Sequence, residues 1–333
     1  MKKRYIFLLS LIGFLPNAQA QVLPSFGGSR AGTTGFQFLK INPDARAAGL
    51  GGNVVATVAD VSALYWNPAG LTAIDTQKIQ FQFGHTNYFA DMGVNYGGLV
   101  FGLGENKIGI SVVSLNSGQM PVTTEFQPFG TGETFEAINQ TFGLSLARQL
   151  TDNFSFGITT KWVHESLAGV NTNNALIDFG FQYRLAPQKV RFAVTISNFG
   201  FNAKPTGQIG FITLNAPTTT VRTFETVAVP ALFRVGVAYD AIKTTTHQLT
   251  LATQLNHPTD NNETLGFAAE YAWNKLFFAR TGYEFGADEL GLPAFGCGFR
   301  FQRNFGMMQL DYGFNNKQRL GSTHRFTIGV GLF

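Results

Sequence analysis

The chain has little charge, almost no cysteine and no long apolar run beyond its first residues. Asp, Glu, Lys and Arg make up 13% of its 333 residues, about half the usual ~25%. The basic excess is 24 against 20. Lys2, Lys3 and Arg4 belong to a stretch that reads as a removable leader, so the rest is nearly neutral and offers no field for nucleic-acid phosphates. The single cysteine, Cys297, excludes an internal disulfide framework and a four-cysteine zinc site. After residue 20 no apolar stretch reaches the length of about 18 residues that marks a membrane helix. The Ala, Glu, Lys and Leu enrichment of a coiled coil is missing too. What is abundant is glycine, 38 residues, and phenylalanine, 34. So aromatic a chain with so little charge is not disordered.

Residues 1–20, MKKRYIFLLSLIGFLPNAQA, have a basic start, an apolar run from Tyr5 to Leu15 and the small-x-small site Ala18-Gln19-Ala20. This is the anatomy of a secretory signal peptide, and it predicts export.

From about residue 78 the chain alternates with period two. Phe154, Phe156, Ile158 and Trp162 oppose Ser155, Gly157, Thr159 and Lys161; Leu265, Phe267, Tyr271 and Trp273 oppose Gly266, Ala268, Glu270 and Ala272. Each segment has one greasy face and one polar or small face. A soluble β-sandwich would turn the greasy face to a core, a membrane barrel would turn it to lipid. The segments run about ten residues, the length that crosses a bilayer at a tilt. Aromatics such as Trp162, Tyr183, Tyr239, Trp273, Tyr283 and Tyr312 fall near segment ends, where an interfacial girdle belongs. Both features favour the barrel.

Strands are predicted at 78–86, 92–102, 107–115, 136–149, 153–165, 174–185, 190–198, 230–240, 247–256, 263–273, 276–285, 292–301, 305–314 and 324–333. The count is fourteen, and bacterial barrels have even numbers of antiparallel strands. Connections at 103–106, 150–152, 186–189, 241–246, 274–275 and 302–304 are short. They alternate with a set that includes the long stretches 116–135, 166–173 and 199–229. Short periplasmic turns and long outer loops are the barrel rule. It predicts extracellular long loops, with both chain ends periplasmic.

Residues 21–77 do not alternate. They hold PDARAAGLGG at 43–52 and ADVSALYWNPAGL at 59–71. Asp44 is suited to cap a short helix through Ala48, and Asp60 another through Trp66, stopped before Pro68. A compact block before the first strand reads as a plug inside the barrel, with Asp44, Arg46, Trp66, Asn67 and Pro68 as its structural or gating residues. These runs resemble the opening of the PorV/PorQ family, outer-membrane barrels related to the FadL fatty-acid transporters. The resemblance covers the leader, the plug motifs and the Gly/Phe-rich remainder. It implies a fourteen-stranded barrel with an N-terminal plug. It also implies a place in type IX secretion, where PorV-type proteins take the C-terminal signal domain of secreted cargo from the translocon to the surface attachment machinery. The alternative within the same superfamily is a transporter importing a hydrophobic small molecule.

The predicted interior face carries Lys161, Arg184, Arg191, Arg234, Arg280 and Arg300 with Asp178, Glu270, Glu284 and Asp311. Charges of both signs favour ion pairs joining wall to plug over a selective pore. The long connections are unusually apolar, with Met120, Phe126, Phe129, Phe211, Ile212 and Phe224 among their side chains. They either fold over one another or offer a docking surface. The five histidines are scattered, and neither a zinc-protease pair, a phosphate loop nor a Gly-x-Ser-x-Gly elbow is present. An enzyme, a cofactor and a metal are not expected.

Overall fold

In the computed structural model the described residues are 30–74, 79–185, 189–211, 219–287, 291–303 and 306–332. The expected leader, Ile212 and Phe333 lie outside them. Fourteen antiparallel strands form one closed ring. They are β1 (Ile79–Asn87), β2 (Gly93–Leu103), β3 (Asn106–Asn116), β4 (Ala137–Gln149), β5 (Phe154–Leu167), β6 (Val170–Leu185), β7 (Val190–Gly200), β8 (Leu232–Lys243), β9 (His247–Pro258), β10 (Thr264–Trp273), β11 (Phe277–Phe285), β12 (Ala294–Arg303), β13 (Gly306–Asn316) and β14 (Ser322–Leu332). Each pairs with its sequence neighbours, and β1 closes on β14 from Ile79 opposite Leu332 to Asn87 opposite His324.

The alternation explains the ring. In β5, Ser155, Thr159 and Lys161 are buried toward the lumen while Trp162 stands outside. Phe81, Leu144, Phe267, Phe295 and Ile328 are likewise exposed on the outer face. A wall that is polar within and greasy without is the reverse of a soluble core and suits lipid. Each outward Phe or Leu moved from water into lipid contributes on the order of 1 kcal/mol. No helix among the described residues is long and apolar enough to cross a membrane; the strands do it.

Residues 30–74 run inside the ring from one rim to the other. Thr34 bridges Ala228 in the longest connection, and the Phe36 N–H donates to Glu165 near the tip of β5. The chain then passes through a 3-10 turn (Gln37–Lys40), helix α1 (Ala45–Gly49), helix α2 (Ala63–Trp66) and a second 3-10 turn (Pro68–Ala73). Thr72 donates to Ser155 at the start of β5, beside the opposite rim. Backbone approach sets this path. A Cβ at Gly49 would lie 2.7 Å from Gly296 Cα, one at Gly157 2.4 Å from the Pro68 carbonyl carbon, and one at Gly282 2.1 Å from Leu50 O.

Two expectations, a connection and a cap, need correction, and one feature lay beyond them. The long connection expected at 166–173 is a tight hairpin: β5 runs to Leu167 and β6 starts at Val170, with Ala168 (φ 48°) and Gly169 (φ 86°) as the two turn residues. Positive φ at both positions matches the right-handed twist of the strands. The polar run 171–173 fell in the expected connection, but its side chains pair across strands, as His164 does with Asn173 at 2.9 Å. Second, the described part of the inner segment begins at the rim opposite Leu332. Arg30–Gln37 lie at the rim of the long connections, while Leu332 pairs with Ile79 at the short-turn rim. The inner segment crosses the whole lumen, which periodicity could not reveal. Third, Asp60 does not cap the helix it precedes; its carboxylate accepts from Ser62 N (2.9 Å) and Ser62 Oγ (2.5 Å).

The close approach gives a test. Overpacking costs about 1–3 kcal/mol, so Gly282→Val is expected to lower the unfolding temperature in detergent by roughly 2–10 °C. Gly97→Ala, where nothing lies within 4 Å of an added Cβ, should leave it unchanged.

Candidate functional site

Helix α1 is short and made of small residues because it docks on the glycines of the wall. Asp44 caps it, accepting from Ala47 N at 2.8 Å, while its second oxygen accepts from Gln82 Nε2 of β1 at 3.0 Å. Arg46 leaves the helix toward β10 and holds Glu270 through Nε and Nη2, both at 3.0 Å. Glu270 also accepts from Arg280 Nε at 2.6 Å, and Arg280 Nη1 reaches Asp311 Oδ1 at 2.5 Å. Asp311 accepts from Gln309, whose carbonyl oxygen accepts from Arg300 Nε at 2.8 Å. Arg46, Glu270, Arg280, Asp311 and Arg300 are thus one chain of charge-assisted bonds from inner segment to wall. Of the predicted interior residues, Lys161, Asp178, Arg184, Arg191, Arg234 and Glu284 stand outside it. Arg184 donates to Gln182, which in turn donates to Ala56 O of the inner segment at 3.2 Å.

Asn67 and Pro68 have a backbone role. Asn67 Oδ1 caps the second 3-10 turn at Ala69 N (3.1 Å), and its Nδ2 donates to Val55 O (3.1 Å) and to Phe181 O of β6 (3.3 Å). Pro68 fits between Gly157 and Gly180, which have no side chains to keep it away. Trp66 is buried beside Tyr65 with the Arg234 guanidinium 5.0 Å above its ring.

At the long-connection rim, Asp260 ties down the start of the inner segment. Thr34 Oγ1 (2.5 Å), Gln37 Nε2 (2.8 Å) and Lys40 Nζ (2.9 Å) all donate to it. Burial alone would raise this carboxyl, but the donors from Thr34, Gln37 and Lys40 hold it below its ordinary value. This anchor was not foreseen from sequence, since its partners lie more than 200 positions away.

The predicted docking residues gather at the same rim. Phe129 and Phe201 are 101% and 88% exposed, and Phe126 is exposed as well. Met120 is half-buried where Met120–Pro121 pair with Thr134–Phe135, and Phe224 is half-buried in the longer connection. The backbone of Phe211 belongs to a small hairpin, Ile209–Phe211 on Thr219–Val221. A cavity of about 470 Å³ lies between the inner segment and the upper half of β8–β14. Its lining is mixed: Arg234, Arg325, Lys40 and Lys317 with one acid, Glu284, stand among apolar side chains that include Ile41, Trp66, Phe89, Leu232, Leu292 and Leu320. No group of His, Cys, Asp and Glu able to hold a metal occurs among the described residues. Cys297 is exposed on the outer face.

A family model for "Type IX secretion system protein PorV" matches residues 26–181, the inner segment and β1 to most of β6. No curated protein matches the chain. Among solved structures, the CymD monoaromatic hydrocarbon channel is 13% identical with a TM-score of 0.56, over 89% of this chain and 97% of that one. The Ralstonia pickettii toluene transporter TbuX is 12% identical with a TM-score of 0.58, over 89% and 98%. The Pseudomonas putida toluene transporter TodX is 12% identical with a TM-score of 0.58, over 87% and 98%. At such identities these likenesses establish the fold.

The two sets of contacts make separate predictions. Replacing Glu270 by Gln leaves Arg46 and Arg280 without their shared carboxylate, a loss on the order of 3 kcal/mol. In planar bilayers E270Q is expected to raise ion conductance over the native barrel. At the rim, the Asp260 carboxyl is depressed in the fold, so its contribution is complete above the ordinary carboxylate range and is lost as pH falls through the lowered value. Protease cleavage near Arg30–Lys40 should therefore be slow at neutral pH and fast once the pH falls below the lowered value of that carboxyl, measured with an acid-active protease for the low arm. Asp260→Asn should be cut quickly at both.

Proposed function

We propose that this outer-membrane barrel, PorV-like in its first half and FadL-like in fold, is a non-catalytic component of type IX secretion. It binds the C-terminal signal domain of secreted cargo at its long-connection rim. The observation that carries the reading is the match of residues 26–181 to the PorV family, joined to the fully exposed Phe129 and Phe201 on one rim. Solvated loops seldom leave large aromatics uncovered, and such patches mark protein contacts. With the long connections outside, the rim meets cargo on the cell surface. Residues Asp44, Arg46, Trp66, Asn67 and Pro68 then belong to a plug, and the Arg46–Glu270–Arg280–Asp311 chain keeps it shut. A closed lumen suits a protein that hands over cargo instead of conducting it.

Import of a hydrophobic molecule is the competing reading, favoured by the hydrocarbon channels that share the fold. The buried guanidiniums of Arg234 and Arg325 in the cavity beside the inner segment weigh against it, since a hydrocarbon gains nothing from desolvating them.

Affinity capture of the tagged barrel from solubilised outer membranes tests the proposal. The native protein should recover secreted proteins that share a C-terminal domain and a translocon subunit. The double variant Phe129→Ser, Phe201→Ser should lose the cargo while keeping its folded electrophoretic mobility. Recovery of the barrel with a stoichiometric hydrophobic molecule and no protein would sink the secretion reading.

A further inference from the structure

The lumen arginines differ in one respect. Arg46 and Arg280 hold carboxylates, and Arg191 holds Asp240 at 2.6 Å. Arg234 and Arg325 are as deeply buried, each 6% exposed, yet neither has an ion-pair partner among the described residues. Both line the cavity of about 470 Å³ at the long-connection rim. A buried guanidinium without a carboxylate in contact is costly, so an anion that reaches it from the cavity would be favoured.

The local geometry says which kind. Arg234 makes one side-chain hydrogen bond, from Nη1 to Ser197 Oγ at 3.1 Å. Nε and Nη2, the pair that forms the side edge of the fork, make no hydrogen bond among the described residues. The Trp66 ring lies under the guanidinium, with Cζ 5.0 Å from the ring centroid. A planar group with two oxygens matches that edge bidentately. Arg325 is oriented by Asn42 O, Asn315 Oδ1 and Thr323 Oγ1, each at 2.8 Å, and places a second positive charge on the same cavity. Glu284, the one acid in the lining, is engaged by Asn256 Nδ2 at 2.9 Å and by the Thr264 hydroxyl. The volume falls within the ~300–1,000 Å³ of ordinary ligand sites.

We propose that this cavity is a binding site for a carboxylate, held bidentately by Arg234 on its Trp66 platform, with Arg325 as the second cation. The carboxylate belongs either to a small organic acid or to the last residue of an extended peptide entering from the rim. The site is built mostly by β8–β14, outside the stretch that matches PorV, so it stands or falls apart from the docking of cargo at Phe129 and Phe201.

Calorimetric titration of the complete purified barrel in detergent tests it. The probes are N-acetyl-trialanine, its C-terminal amide, succinate and inorganic phosphate. The expected result is binding of at least one acid, with the amide weaker by about tenfold or more. Arg234→Gln should weaken the bound acid by a similar factor, and Arg325→Gln by less. If Arg234→Gln does not fold, the probe series on the native barrel decides alone. Peptide acid bound about tenfold tighter than succinate would assign the site to a chain terminus; the reverse order or equal binding would assign it to small acids. Binding of neither acid, equal binding of peptide acid and amide, or phosphate bound tighter than both acids would overturn the proposal.

Discussion

The contact on which the rest of the molecule depends is backbone against backbone inside the barrel. The wall meets the inner segment at Gly157, Gly180, Gly282 and Gly296, where a single added carbon would collide with main-chain or capping atoms. Glycine costs conformational entropy in a strand, and here that cost is offset by removing the space that a water-filled pore would occupy. The small residues of α1 and the Asn67-Pro68-Ala69-Gly70 turn are the other half of the same fit. A barrel of this strand number is wide enough to need filling, and this chain fills itself with its own residues 30–74.

Once the segment is that close, its polar groups must find partners, because the lumen side of the contact is largely shielded from water. Arg46 can reach Glu270 only since α1 lies against β12 and β13, and Asp44 can serve helix and wall together. The charges of β10, β11 and β13 are consequently arranged in sequence, one carboxylate between two guanidiniums, instead of being spread around a pore. Alternating signs in a low-dielectric setting give geometry as much as energy. The bulge in β7 follows the same logic: Asn198, at φ 59°, gives its N–H to Asp178 (2.7 Å), which Lys161 neutralises at 2.5 Å.

Filling is uneven. The upper lumen beside β2–β7 is packed by Phe36, Phe38, Leu39, Tyr96 and Leu176. The upper lumen beside β8–β14 is left open, and cations line it. One half of the rim is therefore an apolar seal bearing exposed aromatics, and the other half is an open recess of mixed lining into which cations reach. The two halves present different chemistry to whatever approaches.

The sequence by itself determined the wall. Period-two alternation is a local property, so the strands at 107–115 or 263–273 could be read to within a residue or two of the β3 and β10 that form, and the greasy face of Phe267 and Trp273 was assignable without knowing any neighbour. The hairpin at Ala168-Gly169 escaped because the cross-strand pairing of His164 with Asn173 turns loop-like residues into strand. The cap at Asp44 could be recognised because a cap acts within three residues, while the same reading failed at Asp60, whose carboxylate turns to Ser62, and missed the cap at Asn67. Only the tertiary structure decided where the non-alternating segment goes, that it starts at the long-connection rim, and which charges meet. Arg46 and Glu270 are separated by 224 positions, and Arg234 approaches Trp66 across a lumen whose filling no local pattern encodes. Pairing at that distance is set by the closure of the ring, and closure belongs to the whole chain.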